Sequence, residues 1–184
     1  MKRFLLASAL SLCAFAARAD DLGVTAQAVY DRVQQNESKL LFVDVRDPVE
    51  IMFVGFTDAV HVNVPYLLVD RNTWDEQRGT YKVSQNPNFL SEIRTELKKR
   101  GLDENAEIIT MCRSGSARGK PSADYLLERG FTNVKYIDNG FQGSTVKDGE
   151  KKGFRVQNGW QNSGLPWSTK ANPEKIYRFP ASGT

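Results

Sequence analysis

The chain has 184 residues, of which 40% are hydrophobic and 26% are charged. These proportions are typical of one globular domain and argue against collagen-like, coiled-coil, disordered and multi-pass membrane proteins. The formal net charge of +3 suggests affinity for nucleic acid or anionic lipid only if the basic residues are spread over the chain.

The excess of positive charge is confined to the N-terminus. Two basic residues at positions 2 and 3 precede an apolar stretch over residues 4–17, which ends in Ala17-Arg18-Ala19. The stretch is too short to span a bilayer, and the whole pattern is typical of a cleavable secretory signal peptide. We therefore predict a signal peptide over residues 1–19 and a periplasmic or secreted mature protein. Loss of its three basic residues from the 25 in the chain leaves 22 against 22 acidic residues, so neither nucleic acid nor, after cleavage, a membrane is an expected partner.

The next part of the chain alternates between strand and helix patterns. Residues 40–45 form an apolar run around Asp44, which is typical of a strand buried on both faces. Residues 66–85 have no clear period and are predicted to be a long loop. Alternating strands and helices predict an α/β domain with a mainly parallel sheet covered on both faces. The predicted helices are 25–35, 48–54, 86–100 and 121–129, and the predicted strands are 40–45, 59–64, 107–111 and 134–137.

The chain changes character after Gly143. Residues 144–184 contain glycines, prolines and two tryptophans without a helical or strand period. Such a segment has too little periodicity to form its own core. We therefore expect one domain over residues 20–143 and a C-terminal extension over 144–184, with Trp160 and Trp167 docked on the domain.

The mature chain is expected to contain one cysteine. Cys13 lies in the predicted signal peptide, which leaves Cys112 without a partner for an internal disulfide. An unpaired thiol in an exported protein is either buried and inert or exposed for chemistry.

The loop that begins at Cys112 has the residue types of an anion site. It follows the predicted strand 107–111, and the carboxyl ends of parallel strands are where ligands bind in such sheets. Small residues let backbone N–H groups turn inward, the following helix adds the positive end of its dipole, and arginines suit sulfonate, sulfate-like or phosphate groups. The predicted nucleophile is Cys112, and the predicted substrate-binding residues are Arg113, Ser114, Gly115, Ser116, Ala117 and Arg118.

Several separated motifs resemble those of the rhodanese-like domains. Residues 41–50 (LFVDVRDPVE) resemble the family's V-D-V-R-x-x-x-E opening, and Asn63-Val64-Pro65 resembles its N-I-P. Cys112-Arg113-Ser114-Gly115 resembles its C-R-S-G active loop. Residues 130–134 (GFTNV) and 138–141 (DNGF) resemble the segments with which the family domain ends.

This resemblance implies a three-layer α/β/α rhodanese-like fold with a central, mainly parallel sheet. It also implies a sulfurtransferase in which Cys112 takes the outer sulfur of a thiosulfate-like donor and passes it, as a persulfide, to a thiol or cyanide-like acceptor or to a protein acceptor. Asp44 and Arg46 would support the active loop. Neither a metal nor an organic cofactor is implied.

The sequence departs from the family pattern at two places. The family's usual G-H-I-x-G-A is replaced by Gly55-Phe56-Thr57-Asp58-Ala59, which lacks the histidine. The fifth residue after the cysteine is Ala117, and the arginine comes sixth, as Arg118. A Cys-x5-Arg loop also resembles the rhodanese-fold phosphatases and arsenate reductases, although Met111 stands where those enzymes generally have histidine.

Three functions therefore stay open at this point. They are sulfur transfer, phosphatase or arsenate reductase chemistry through Cys112 and Arg118, and a non-catalytic module that binds a sulfur compound or a redox partner. His61 is the one histidine of the chain and has no neighbours at metal-ligand spacing, so we expect a structural or exposed polar residue there.

Overall fold

The computed structural model describes residues 22–35 and 39–179. The predicted signal peptide and Cys13 lie outside the described residues. The elements are, in chain order, β1 (Gly23–Val24), α1 (Ala26–Gln34), β2 (Leu40–Asp44), α2 (Pro48–Val54), β3 (Val62–Asn63), β4 (Leu67–Asp75), β5 (Thr80–Gln85), α3 (Phe89–Lys99), β6 (Glu107–Met111), α4 (Gly119–Leu127), β7 (Val134–Ile137) and a 3-10 turn (Trp160–Asn162).

Five strands form one sheet in the order β1-β7-β6-β2-β3, and every neighbouring pair is parallel. Strands β2 and β6 are buried along their whole length. Alternate residues of β2 enter different cores: Leu41 and Val43 pack with residues of α3 and α4, and Leu40 and Phe42 pack with residues of α1 and α2. The predicted three-layer α/β/α architecture with a mainly parallel sheet is confirmed.

Local sequence signals determine where the first two helices begin. The Thr25 side chain accepts a hydrogen bond from Ala28 N at 3.2 Å, and the Asp47 side chain accepts one from Val49 N at 2.9 Å. Each cap satisfies a backbone donor that has no partner within its own helix. Gly55, with φ of +104°, ends α2 as predicted.

The prediction of a long loop over residues 66–85 is wrong, because β4 and β5 form an antiparallel hairpin there. The β5 side chains are exposed, so the hairpin shows no alternation of buried and exposed positions that a sequence pattern could reveal. Its tip is held by Asp75, whose Oδ1 accepts hydrogen bonds from the backbone of Gln77 and Arg78, both at 3.1 Å. Trp74 and Tyr81 pack edge to face across the strands at 5.2 Å.

Three other predicted boundaries shift. The strand over 59–64 is reduced to the two residues of β3. Helix α3 begins at Phe89, because Asn86 accepts a hydrogen bond from Asn88 N at 3.0 Å and holds the preceding residues in a turn. Helix α4 begins at Gly119, two residues before the predicted start.

The described part of the C-terminal extension, residues 144–179, lies on the domain. Trp160 is buried, with its ring 5.6 Å from that of Phe42 and 5.9 Å from that of Tyr30. Its backbone N donates to Gly140 O at 2.9 Å, and its indole N–H donates to Pro166 O at 3.0 Å. Burial of an indole ring whose N–H is satisfied contributes strongly to holding such an irregular segment in place. Among the described helices, none has the length and apolar character needed to cross a bilayer.

His61 has a structural role next to the sheet. Its Nδ1 accepts a hydrogen bond from Phe42 N at 3.0 Å, while its backbone N donates to Phe42 O at 2.8 Å. Burial, and then the positive charges of Arg100 and Lys175, lower the pKa of His61 to about 4 from 6.5. The folded protein therefore holds His61 neutral.

This shift predicts a specific dependence of stability on pH. The unfolded chain binds a proton at His61 near pH 6.5, whereas the folded chain does so only near pH 4, so the stability from neutral His61 is present above pH 6.5 and is lost as the pH falls to 4. We expect His61→Asn, which keeps an acceptor but does not titrate, to lose less stability than the wild type over this range. Urea unfolding at several pH values measures the difference. Parallel pH profiles for the two proteins would contradict this role.

Candidate active site

Cys112 follows β6 directly and lies beneath the first turn of α4. A Cβ atom placed on Gly119, the first residue of α4, would be 3.5 Å from Cys112 Sγ. Residues 112–118, which we call the active loop, therefore turn the chain back over the thiol before the helix begins. This arrangement places the sulfur near the positive end of the helix dipole, which favours bound anions there.

The thiol itself is completely buried. It belongs to the core cluster that also contains Ala123 and Leu126 of α4. The sequence left open whether Cys112 is buried or exposed, and the early start of α4 at Gly119 explains why it is covered. A ligand can reach Sγ only after residues that cover it move.

The active loop offers backbone donors. Among the residues that the structure describes, none accepts a hydrogen bond from the N–H groups of residues 113–118. Gly115 is buried, Ser114 is half-buried, and Ser116 and Ala117 are exposed. The hydroxyl oxygens of Ser114 and Ser116 are 3.5 Å apart. Successive unpaired N–H groups in a tight loop are suited to an anion.

The turn over residues 138–143, which we call the supporting turn, is hydrogen-bonded to the start of the active loop. Phe141 N donates to Cys112 O at 2.7 Å, and Gln142 N and Gly143 N donate to Arg113 O at 2.8 and 3.2 Å. Gly140 permits this approach, because a Cβ there would lie 2.2 Å from Cys112 O, and its φ of +56° is unfavourable for other residues. The carbonyl groups of Cys112 and Arg113 are therefore directed toward the supporting turn.

Arg46, paired with Asp44, packs against the supporting turn. The Arg46 guanidinium is fully buried, donates to Asp44 Oδ2 at 2.6 Å and to Gly55 O at 3.0 Å, and lies 4.2 Å from the centre of the Phe141 ring. Its Nη1 has no hydrogen-bond acceptor among the described residues. The resemblance implied that the pair supports the loop. Arg46 packs against Phe141, and Phe141 N holds Cys112 O.

Arg118 is engaged by a carboxylate that sequence reasoning did not assign. Glu50 accepts hydrogen bonds from both terminal nitrogens of Arg118, at 2.6 and 3.0 Å. Burial acts to lower the pKa of Arg118, but the hydrogen bond and charge of Glu50 outweigh it and, with smaller contributions from Cys112 and Asp44, raise that pKa. Arg118 is thus a permanent cation at the end of the active loop, with its guanidinium oriented by Glu50.

Arg113 points along the surface of the loop and is bound by Gln142. Its Nε donates to Gln142 Oε1 at 2.7 Å, and the side chain is otherwise exposed. Arg155, from the C-terminal extension, donates through Nη1 to Gly143 O. The structure therefore brings Arg113, Arg118 and Arg155 around one end of the sheet.

Sequence reasoning missed Glu50, Gln142 and Arg155. Glu50 occupies the last position of the V-D-V-R-x-x-x-E motif, and this position could have suggested a role. Arg155 had no such signal, because it lies in an irregular segment outside every motif. Within residues 22–35 and 39–179, no group of three or more His, Cys, Asp or Glu side chains is arranged to hold a metal ion.

The contact of Gly140 with the active loop yields a stability prediction. Gly140→Ala should lose about 1–3 kcal/mol more than a matched control, because the new Cβ overlaps Cys112 O. Gly101→Ala is that control, since Gly101 has φ of +68° but nothing within 4 Å of an added Cβ. Urea denaturation of both variants compares the losses. Equal losses would show that the close approach of the two loops is unimportant.

The chain is similar to known proteins in sequence and in fold. It matches the family model described as rhodanese-like domain over residues 25–145. A crystal structure of Rv0390 from M. tuberculosis is similar, with 30% sequence identity, a TM-score of 0.57, and coverage of 80% of this chain and 97% of that one. A rhodanese-related protein from Thermoplasma volcanium is 18% identical, with a TM-score of 0.45 and coverage of 80% and 98%. The polysulfide-sulfur transferase homodimer of Wolinella succinogenes is 22% identical, with a TM-score of 0.45 and coverage of 83% and 82%.

No curated protein matches the chain. The family model covers well over half of the sequence, including β2, the active loop and the supporting turn. The chain belongs to the rhodanese-like domain family.

Proposed function

We propose that the protein is an exported sulfurtransferase in which Cys112 carries sulfur from a thiosulfate-like donor to a thiophilic acceptor. Membership of the rhodanese-like family supports sulfurtransferase-type activity in general. The observation that carries the proposal is the placement of Cys112 Sγ beneath the N-terminus of α4, in a loop whose N–H groups have no acceptor among the described residues.

The first proposed step loads sulfur on the enzyme. The Cys112 thiolate attacks the outer sulfur of thiosulfate, a bond forms between Sγ and that sulfur, and the sulfur–sulfur bond of thiosulfate breaks. Sulfite leaves with the electron pair, and Cys112 is left as a persulfide. Fixed N–H donors and the Arg118 charge stabilise the negative charge on the sulfur atoms through this step.

The second proposed step unloads the sulfur. A nucleophile such as cyanide or a thiolate attacks the outer sulfur of the persulfide, and the Cys112 thiolate leaves with the electron pair. Cyanide is converted into thiocyanate, and a thiol becomes a persulfide. A protein thiol is an alternative acceptor by the same chemistry. The residues proposed to bind the donor are those of the active loop, Arg113 to Arg118, in which Arg118 acts through its charge because both of its terminal nitrogens donate to Glu50.

Phosphatase or arsenate reductase chemistry is the second candidate, because Arg118 is the sixth residue after Cys112 and the last one before α4. Such chemistry needs the arginine to bind two oxygens of a tetrahedral anion. Here both terminal nitrogens of Arg118 already donate to Glu50. This pairing makes Arg118 less suitable as a substrate ligand and favours sulfur transfer.

A non-catalytic binding module is the third candidate. The complete burial of Cys112 favours it, since an inert cysteine is usually buried. An inert site, however, gives no reason for the convergence of N–H groups and arginines around the thiol. A direct test of thiol reactivity distinguishes a non-catalytic binding module from a sulfurtransferase.

Incubation with thiosulfate should add one sulfur atom to the protein, and cyanide should remove it. The adduct forms because the thiolate is the nucleophile, so Cys112→Ser should remain unmodified. Intact-mass spectrometry before and after cyanide treatment measures both results. The same wild-type preparation should release no phosphate from an aryl phosphate.

Two results would overturn the proposal. An unchanged mass after thiosulfate treatment would favour the binding module. Hydrolysis of an aryl phosphate that is lost in both Cys112→Ser and Arg118→Gln, without a sulfur adduct, would favour the phosphatase.

The proposal includes export of the protein from the cytoplasm, which rests on the sequence of residues 1–19. Cleavage after Ala19 would make Asp20 the N-terminal residue of the mature protein. N-terminal sequencing of protein taken from the periplasm or culture medium of a bacterial host tests this. Retention of Met1 on protein confined to the cytoplasm would contradict it.

A further inference from the structure

Two arginines beside the active loop have no carboxylate partner. Arg113 uses Nε on Gln142, and Arg155 uses Nη1 on Gly143 O. Within residues 22–35 and 39–179, neither forms an ion pair. Glu50, the carboxylate that acts on Arg155, is already paired with Arg118.

The two guanidinium groups bind adjacent residues of the supporting turn, that of Arg113 to Gln142 and that of Arg155 to Gly143. Gly143 N donates to Arg113 O at 3.2 Å, while Gly143 O accepts from Arg155. Gln142 binds both the backbone and the side chain of Arg113. The two cations are therefore brought to one place by fixed contacts.

Hydrogen bonds of the C-terminal extension fix the position of Arg155 beside the supporting turn. Val146 N donates to Phe154 O at 2.8 Å, which closes a loop just before Arg155. Asn162 Nδ2 then donates to Gln142 O at 3.1 Å and to Arg155 O at 3.3 Å. These contacts fix the backbone at Arg155, and the bond from Nη1 to Gly143 O restrains its side chain, so that less freedom is lost when the side chain binds a ligand.

The direction of the pKa shift of Arg155 agrees with its placement beside Arg113. Burial, and then the positive charge of Arg113, lower the pKa of Arg155, with Glu50 and Cys112 acting weakly in the opposite direction. Two like charges held together are unfavourable until an anion lies between them. The contact with Gly143 O places the Arg155 guanidinium at the turn whose Phe141 N donates to Cys112 O.

We propose that Arg155, together with Arg113, binds the oxyanion end of the sulfur donor and so makes the C-terminal extension part of the substrate site. The ligand class is a donor whose transferable sulfur is attached to a sulfonate-type group, as in thiosulfate. The identity of the donor rests on the proposed function. Arg155 would also favour departure of the anionic product, because its charge stays beside the oxygens when the sulfur–sulfur bond breaks.

This role predicts discrimination between donors. A donor without oxygens, such as inorganic polysulfide, makes no use of the paired guanidinium groups. Loss of Arg155 should therefore weaken the reaction with thiosulfate more than the reaction with polysulfide. A merely structural role would affect both donors alike.

The test separates binding from chemistry by use of the Cys112→Ser protein. Titration calorimetry with thiosulfate compares Cys112→Ser alone with the same protein carrying Arg155→Gln or Arg155→Lys. We expect Arg155→Gln to raise the Kd about ten-fold, as for loss of a charged hydrogen bond, and Arg155→Lys to raise it less.

Arg178→Gln is the matched control. Arg178 is another arginine of the extension that donates to a backbone carbonyl, that of Pro173, at 3.3 Å. Its neighbour Tyr177 is bound to Asn63 and Glu92, and among the described residues Arg178 has no hydrogen bond to the active loop or the supporting turn. This variant should leave the Kd unchanged, and thermal melts of all variants establish that they are folded.

Kinetic measurements on Arg155→Gln, in the protein that retains Cys112, complete the test. Arg155→Gln should raise the KM for thiosulfate about ten-fold and change kcat/KM for polysulfide by less than two-fold. An unchanged Kd and KM for thiosulfate, or equal losses for both donors, would overturn the role of Arg155. Thiosulfate binding that depends on Arg155 without any sulfur adduct on Cys112 would instead refute the proposed function and leave the anion site standing.

Discussion

Three backbone hydrogen bonds join the active loop to the supporting turn. They run from the N–H groups of residues 141–143 to the carbonyl oxygens of Cys112 and Arg113, and they fix the direction of the peptide planes at the start of the loop. When both carbonyls are directed toward the supporting turn, the N–H groups of the loop are left for a ligand. Gly140 is required because any side chain there would collide with Cys112 O.

The buried ion pair of Asp44 and Arg46 packs against the same supporting turn. Arg46 packs on the ring of Phe141, whose N–H holds Cys112. Burial of two charges is costly and gives little net stability, so a benefit to the position of Phe141 is a better account of their presence. Asn63 also fixes the backbone of this ion pair, because its Nδ2 donates to the carbonyls of both Asp44 and Arg46, each at 2.8 Å. Residues far apart in sequence thus act on the active loop through one aromatic ring.

The sequence contained enough to predict the sheet and the position of Cys112, because both depend on local patterns. Apolar runs mark β2 and β6, and a loop of small and basic residues after β6 marks the site. The hairpin of β4 and β5 was missed because β4 is only partly buried and β5 is exposed, so neither strand has a fully buried face. The partnership of Glu50 with Arg118 spans 68 residues and arises only when α2 and the active loop meet. Arg155 was missed for a related reason, since its position depends on hydrogen bonds within an extension that has no period.

The most direct test of this account is a crystal structure of the protein after incubation with thiosulfate. We predict an additional sulfur atom bonded to Cys112 Sγ, within hydrogen-bond distance of N–H groups of residues 113–118, while the bonds from the supporting turn remain intact. A cysteine without added sulfur would contradict the account. So would an added sulfur directed toward Ala123 and Leu126, away from the N–H groups of the loop.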